Sequence, residues 1–398
     1  MKKAIALILA VFLTVSLCGC SKKLSQIASE IENILPDSEE IVEVKYEEFI
    51  LQNPQMEGCY SELDSKQKDY YSRIYAIAED MTEGYVDMGE FYEGAVADVS
   101  IAYNAFLNDN AEIFWMPNTY VLATTGNKMM AIAFECSDKD RKSEYAVSKS
   151  LRDSYRSQLD KVVKEVMAEL DGLDSEYEKE KYINDYICDN VSYNETAALN
   201  NTSYGALVLN NALCEGYARA FKLLCNRAGI ECELIVGESQ NTGHMWNRVN
   251  IDRKHSFVDV TWNDREDYKS YAYFNITDEQ IKESHSFAPL LSDLDKDEID
   301  GSISFNFNER KCSFTGNTFY EQEGFMLWQD YADEAAEKIE DFADMGETYT
   351  EFMFATERIR SLFEKNPEKF LTEIQMNLSS VSINSYSSDR DTVVIFFE

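Results

Sequence analysis

Apolar residues recur at helical spacing through several stretches of this 398-residue chain. The spacing predicts an amphipathic helix over 24–35, "LSQIASEIENIL", and mostly helix over 60–110, with aromatics on one face. It predicts a long polar helix over roughly 143–171, ending near Gly172, and another over 176–190, "EYEKEKYINDYICDN". Alternating positions predict a strand at 40–50, "EIVEVKYEEFI", and a hairpin at 119–136 around Thr125-Gly126-Asn127. The most informative stretch runs from Ser203 to about Asp267. A helix over 212–228 carries Cys214, Ala218, Phe221, Cys225 and Ala228 on one face, and Gly229 stops it. A buried strand follows at 230–238, "IECELIVGE", then the loop "SQNTG". Strands at 244–251, "HMWNRVNI", and 256–262, "SFVDVTW", flank a polar turn from Asp252 to His255. "LSDLDKDEID" (291–300) reads as an acidic linker, and 302–398 mixes strands and helices before closing on "TVVIFFE". The pattern divides the chain into an N-terminal accessory region, 21–144, helical with a hairpin; an α+β core, 145–290; and a C-terminal α+β region, 291–398.

The first twenty residues stand apart. "MKKAIALILAVFLTVSLCGC" has two lysines and then an apolar run from Ala4 to Leu17. That run is shorter than the ~20 residues a spanning helix needs, and its length and flanks fit a signal peptide. It ends in "LCGC", which fits a bacterial lipobox: small Gly19 before the cleavage point and Cys20 as the residue that receives lipid. The expectation is a lipid-anchored extracytoplasmic protein, tethered to the cell membrane through Cys20.

Charge narrows the partners. With 37 basic and 73 acidic side chains the formal net charge is −36. That balance argues against nucleic-acid binding, which rests on neutralising phosphates with Lys and Arg. There are nine cysteines. An exported chain can form disulfides, but Cys59, Cys136, Cys188, Cys225, Cys232 and Cys312 are widely scattered and their spacing assigns no pairing. No close pair forms a metal knuckle, so neither a metal nor another cofactor is expected.

One cysteine has a distinctive place. Cys214 lies in the first turn of its helix, where unpaired backbone N–H groups and the helix dipole stabilise a thiolate. Its face is the apolar one, so the sulfur points inward. Cys225 lies deep in the helix body and reads as core. Of the three histidines, His255 falls in the hairpin turn and His285 follows a short helix with no evident partner. His244 begins a strand. With Asp252-Arg253 as the turn, Trp246 opposes Asp259 and His244 opposes Thr261; with Arg253-Lys254 as the turn, Asp259 opposes Arg248. In both registers His244 and Asp259 share a face, since side chains alternate with period two. Spacing alone leaves Cys214 open as a nucleophile or as a structural thiol.

The residues carry a further signal. "YGALVLNNALCEGYARAFKLLCNRAGIECELIVGE", "HMWNRVNID" and "FVDVTWND" resemble, in order and spacing, the three blocks of the transglutaminase-like superfamily of papain-type cysteine folds. The similarity spans about 95–290. It implies an α+β, papain-like core in which the Cys214 helix packs on an antiparallel sheet. It also implies Cys214 as nucleophile, His244 as its base and Asp259 as the residue orienting the imidazole. The implied chemistry is acyl transfer on protein or peptide amides through a thioester, by protease, amidase or transglutaminase action. The Cys214 backbone N–H would form part of an oxyanion hole, with Tyr204, Asn211 and Trp246 as candidates for a second donor. The competing reading is a surface binding or assembly module that uses a papain-like core without turnover.

Overall fold

The computed structural model describes residues 7–9, 41–50, 58–125, 129–134 and 144–398. The expected helix at 24–35, Cys20 and Cys136 lie outside the described residues. Two compact units divide the chain: one comprises Met1–Arg248 with Ser284–Arg310, the other Val249–Glu283 with Lys311–Glu398. Among the described residues no helix is long and apolar enough to cross a membrane.

The first unit begins with two helices, Ser65–Asp80 and Ala95–Asp109. Asp64 and Gln67 form a reciprocal cap that satisfies the orphan donors opening the first helix. The second ends on Asp109, whose carboxylate accepts from the backbone N–H groups of Cys59 (2.7 Å) and Tyr60 (2.9 Å). Strands Val121–Thr125 and Met129–Ala133 form the expected hairpin, with Val86–Gly89 on its far side. Leu7–Leu9, inside the expected leader, pairs antiparallel with Val121–Thr125. Cleavage before Cys20 would remove that strand. Helices Lys149–Leu170 and Glu176–Asn190 follow, the latter opened by a Ser175–Glu178 capping box.

Next come the elements that carry the chemistry. Helix Cys214–Arg227 leads into strand Glu231–Ser239, which turns through Gln240 and Asn241 into Thr242–Ile251. Both turn residues have positive φ, 52° and 61°, as a two-residue turn between twisted antiparallel strands requires. The strand order of this sheet is His285–Phe287, Glu231–Ser239, Thr242–Ile251, Lys254–Val258. Asp252 (φ 50°) and Arg253 (φ 62°) make the turn between the last two strands, so the first of the two expected registers is the one adopted. The expected acidic linker is built into the first unit. Its residues form two short 3-10 turns, and Lys296 pairs with buried Asp98 at 2.8 Å.

The second unit is built on a four-stranded sheet in the order Met326–Leu327, Tyr349–Phe354, Thr392–Phe397, Ile383–Asp389. The first pair is parallel and the others antiparallel. Apolar Val393–Ile395 is buried without alternation, as a central strand covered on both faces must be. Helices Tyr331–Asp344, Glu357–Lys365 and Pro367–Gln375 belong to this unit, the last with proline at its first turn, where a missing N–H costs nothing. The compact units thus cut across the division at residue 290 read from the sequence. The cause is local: Val249–Glu283, from within the core, packs with 311–398 through a set of buried polar contacts described below.

Candidate active site

Cys214 is the first residue of its helix and is 6% exposed. Leu213 stands at the cap position and supplies no side-chain acceptor, so the first-turn N–H groups have no cap to bond. Two features fix this helix start. The Asn200 carbonyl accepts from the Leu213 N–H at 2.7 Å. The same carbonyl lies where a side chain on Gly216 would stand, 2.3 Å from a Cβ built there. Glycine is therefore required for the chain to approach the helix. Gly216→Ala should destabilise the protein by about 1–3 kcal/mol through overpacking, measured by urea unfolding; a loss within error of zero would show that the Asn200 segment yields freely.

The residue after the cysteine is a buried acid. Glu215 is 3% exposed and pairs with Arg219 one turn on at 2.9 Å. Asn118 Nδ2 donates to both carboxylate oxygens, at 3.0 and 3.1 Å, and Arg219 Nη1 donates to the Leu107 carbonyl at 2.7 Å. Burial pushes the Glu215 carboxyl up, and Arg219 and Asn118 oppose it. This network locks the first turn of the Cys214 helix to the N-terminal helical region. Cys225 is fully buried, and burial, then its neighbour Cys232, raises its thiol well above the ordinary range, as a core thiol should behave. The six cysteines among the described residues are unbridged.

His244 sits on strand Thr242–Ile251 and is 7% exposed. Asn247, on the same strand, donates from Nδ2 to the Ala218 carbonyl at 3.0 Å. Ala218 is one turn beyond Cys214, so this bond ties the histidine strand to the cysteine helix. Trp246, two residues on and on the same face, has its ring 6.0 Å from the imidazole. The third wall was missed from sequence. His285 is buried on strand His285–Phe287, with its ring 5.3 Å from that of His244 and 4.9 Å from that of Trp246. Its Nδ1 and the Ser284 hydroxyl are 2.8 Å apart. Spacing gave no hint because that strand is only three residues long and pairs with Gly237–Ser239, far back in the chain. The one available signal was parity, which puts Phe287 on the same face as His285; Phe287 does pack on Trp246, at 5.3 Å. His255 is on strand Lys254–Val258, half-buried, and not in the turn.

Asp259 is not a strand residue. The strand ends at Val258, and Asp259 caps the short helix Val260–Asn263, its Oδ1 accepting from the Trp262 N–H at 3.2 Å. It is 1% exposed, and its own N–H donates to the Tyr273 carbonyl at 2.9 Å.

The second-donor candidates separate. The Tyr204 hydroxyl bonds Gln158 at 3.0 Å, and the ring stacks against Tyr155 and Phe114, each at 4.8 Å. Asn211 accepts from Asn194 at 3.0 Å and donates to the Leu209 carbonyl at 2.6 Å. Both are committed to local packing. Trp246 is 1% exposed and its indole Nε1 makes no hydrogen bond. A buried donor left so costs about 1–3 kcal/mol, which makes it the candidate whose sole donor is buried and unused.

Comparison with known proteins agrees with the sequence pattern. The transglutaminase-like superfamily matches residues 164–262, a span that holds Cys214, His244 and Asp259. Kyphoscoliosis peptidase from Homo sapiens is 27% identical over 124 residues, which are 27% of this chain and 18% of that protein. The Mus musculus protein of the same name is 27% identical over 126 residues, or 19% of its length. The match thus spans under a fifth of either relative. A solved structure of a TGase is similar over 36% of this chain and 43% of that one, at 18% identity and a TM-score of 0.26. This chain carries a domain of the transglutaminase-like superfamily, with mixed helix and strand, at residues 164–262.

Proposed function

We propose that this protein is a cysteine acyl-transfer enzyme acting on protein or peptide amides, with Cys214 as nucleophile, His244 as its base and Asp259 orienting the imidazole. The observation that carries the reading is Cys214 as the uncapped first residue of a helix, inside the superfamily match that also contains His244 and Asp259. The thiolate attacks the amide carbonyl and the bond to nitrogen breaks. The departing amine takes the proton held by His244, and the thioester left on Cys214 is resolved by water or by a second amine. The N–H of Cys214 and the indole N–H of Trp246 are the donors offered to the developing oxyanion. Incubation with a glutamine-bearing protein and a fluorescent amine tests the reaction. Amine incorporation supports transfer, ammonia release without incorporation supports deamidation, and chain cleavage supports a protease. Hydrolysis is the expected outcome, because nothing in the sequence identifies a dedicated amine-acceptor site. Activity that survives Cys214→Ala would overturn the assignment.

We further propose that the enzyme works outside the cytoplasm, anchored through lipidated Cys20. The support is the "LCGC" motif after a short apolar run. Cys20→Ala should release the protein from membranes or leave an uncleaved precursor. Unchanged fractionation and unchanged mass would end that proposal.

A further inference from the structure

The 311–398 region lies outside the superfamily match, yet one of its hairpins contacts the segment whose Tyr273 carbonyl accepts from the Asp259 N–H. Strands Ile383–Asp389 and Thr392–Phe397 pair so that Asp389 opposes Thr392, leaving Arg390 and Asp391 as the turn. Arg390 has φ 50°, an uncommon conformation for a residue with a side chain. Both neighbours are tied down: Asp389 pairs with Arg265 at 2.7 Å, and Asp391 with Arg360 at 2.7 Å. The Arg390 guanidinium lies 4.0 Å from the centre of the Tyr273 ring. It donates to the carbonyl of Ala272 and, at 3.1 Å, to that of Gln280. Tyr273 is the residue whose carbonyl accepts from the Asp259 N–H. Its own N–H donates to Asn263 Oδ1 at 3.0 Å, which closes the short helix that Asp259 caps. Beside it, buried Glu351 accepts from the Ser270 hydroxyl at 2.8 Å and from the Tyr271 N–H at 2.7 Å, fixing the chain just before Tyr273.

We propose that Arg390 is a positioning residue for Asp259, acting through Ala272 and Tyr273, and that the C-terminal sheet thereby belongs to the catalytic apparatus. The inference rests on the reading of Asp259 as the residue that orients His244. A side chain in this role needs the planar fork of arginine: one face for the Tyr273 ring and separate N–H groups for two carbonyls. Lysine offers a single point of donation. Loss of the fork releases the Ala272 and Gln280 carbonyls and the Tyr273 ring, loosening the segment whose Tyr273 carbonyl holds the Asp259 N–H. A displacement of about 1 Å at an orienting group is enough to lower a rate by up to about a hundredfold.

Two measurements on the full chain test this. Amide hydrogen exchange is compared for wild type, Arg390→Ala and Arg390→Lys. Arg390→Ala should speed exchange by about tenfold in peptides covering 257–264 and 271–276. Arg390→Lys should restore it in part. Unchanged exchange there, or faster exchange confined to the 383–397 hairpin, overturns the proposal. The second measurement is the rate of Cys214 alkylation by iodoacetamide near pH 6 in Arg390→Ala, Asp259→Ala and the double variant. Arg390→Ala should slow labelling, and should have no further effect once Asp259 is gone. Independent, multiplying effects would show that Arg390 does not act through Asp259. If Asp259→Ala alone leaves labelling unchanged, the role given to Asp259 fails, while the exchange data still decide whether Arg390 holds its backbone.

Discussion

His244→Ala should slow alkylation of Cys214 near pH 6 by about tenfold. A free thiol with pKa ~8.5 is thiolate to only about 0.3% at that pH, whereas one held by an imidazolium at a helix N-terminus is mostly ionised. That alone favours the wild type by about 300-fold. Nucleophilicity falls with thiol pKa at a Brønsted slope of about 0.4–0.5, which takes back most of the gain and leaves about tenfold. Asp259→Ala should lower the rate less, because the aspartate acts on the imidazole and not on sulfur. Labelling is read peptide by peptide, so that Cys59, Cys188, Cys225, Cys232 and Cys312 serve as internal references. Identical rates in wild type and His244→Ala would mean that the imidazole does not sustain the thiolate. In a binding module Cys214 would be a packed, inert thiol, and neither substitution would change its rate.

The second large effect is on stability. Arg219→Met should cost about 3–5 kcal/mol at neutral pH, because it leaves Glu215 buried and without its cation. The Glu215 carboxyl is already raised by burial, with Arg219 the largest opposing influence. A carboxyl whose folded pKa lies above its unfolded value binds its proton more tightly in the folded state. Its penalty is therefore full above the folded pKa and fades as pH falls to the unfolded value, about 4.3. Removing Arg219 raises the folded value further and widens that window. The variant should lose most at pH 7 and markedly less near pH 5, as read from urea unfolding at both. An equal loss at both values, or a loss under about 1 kcal/mol, would show that Glu215 is not stabilised as an anion by Arg219. Because Glu215 follows Cys214 directly, the same variant should also lose cysteine reactivity.

How much of this was legible beforehand differs element by element. The Cys214 helix, the strand after it and the histidine strand were legible because their apolar periods are long and their ends are marked by Gly229 and by turn residues. Parity puts Trp246 and His244 on one face, and their rings lie 6.0 Å apart. It could not say where the aspartate strand ends. There the Asp259 side chain captures the Trp262 N–H and its backbone turns to Tyr273, a competition with the ladder that alternation does not reveal. The stretch 40–50 alternates, but its described residues, 41–50, do not form a strand. Only Val42 bridges to Val86, while Tyr46 bonds Asp69 at 2.7 Å and Phe49 packs on Tyr71 at 5.0 Å, so its side chains serve the neighbouring helix. His285, Arg390 and Glu351 were out of reach for a common reason. Each acts through partners distant in sequence, on elements whose local pattern says only that they are strands or turns.

The measurement closest to the central claim is the pH dependence of iodoacetamide labelling at Cys214 in the folded wild-type protein, from about pH 5 to 9. The proposed enzyme predicts a labelling rate that holds nearly level down through neutrality and gives Cys214 precedence over every other thiol at about pH 6. A slow rate that rises about tenfold per pH unit up to the free-thiol value of ~8.5, with no preference for Cys214, would contradict it.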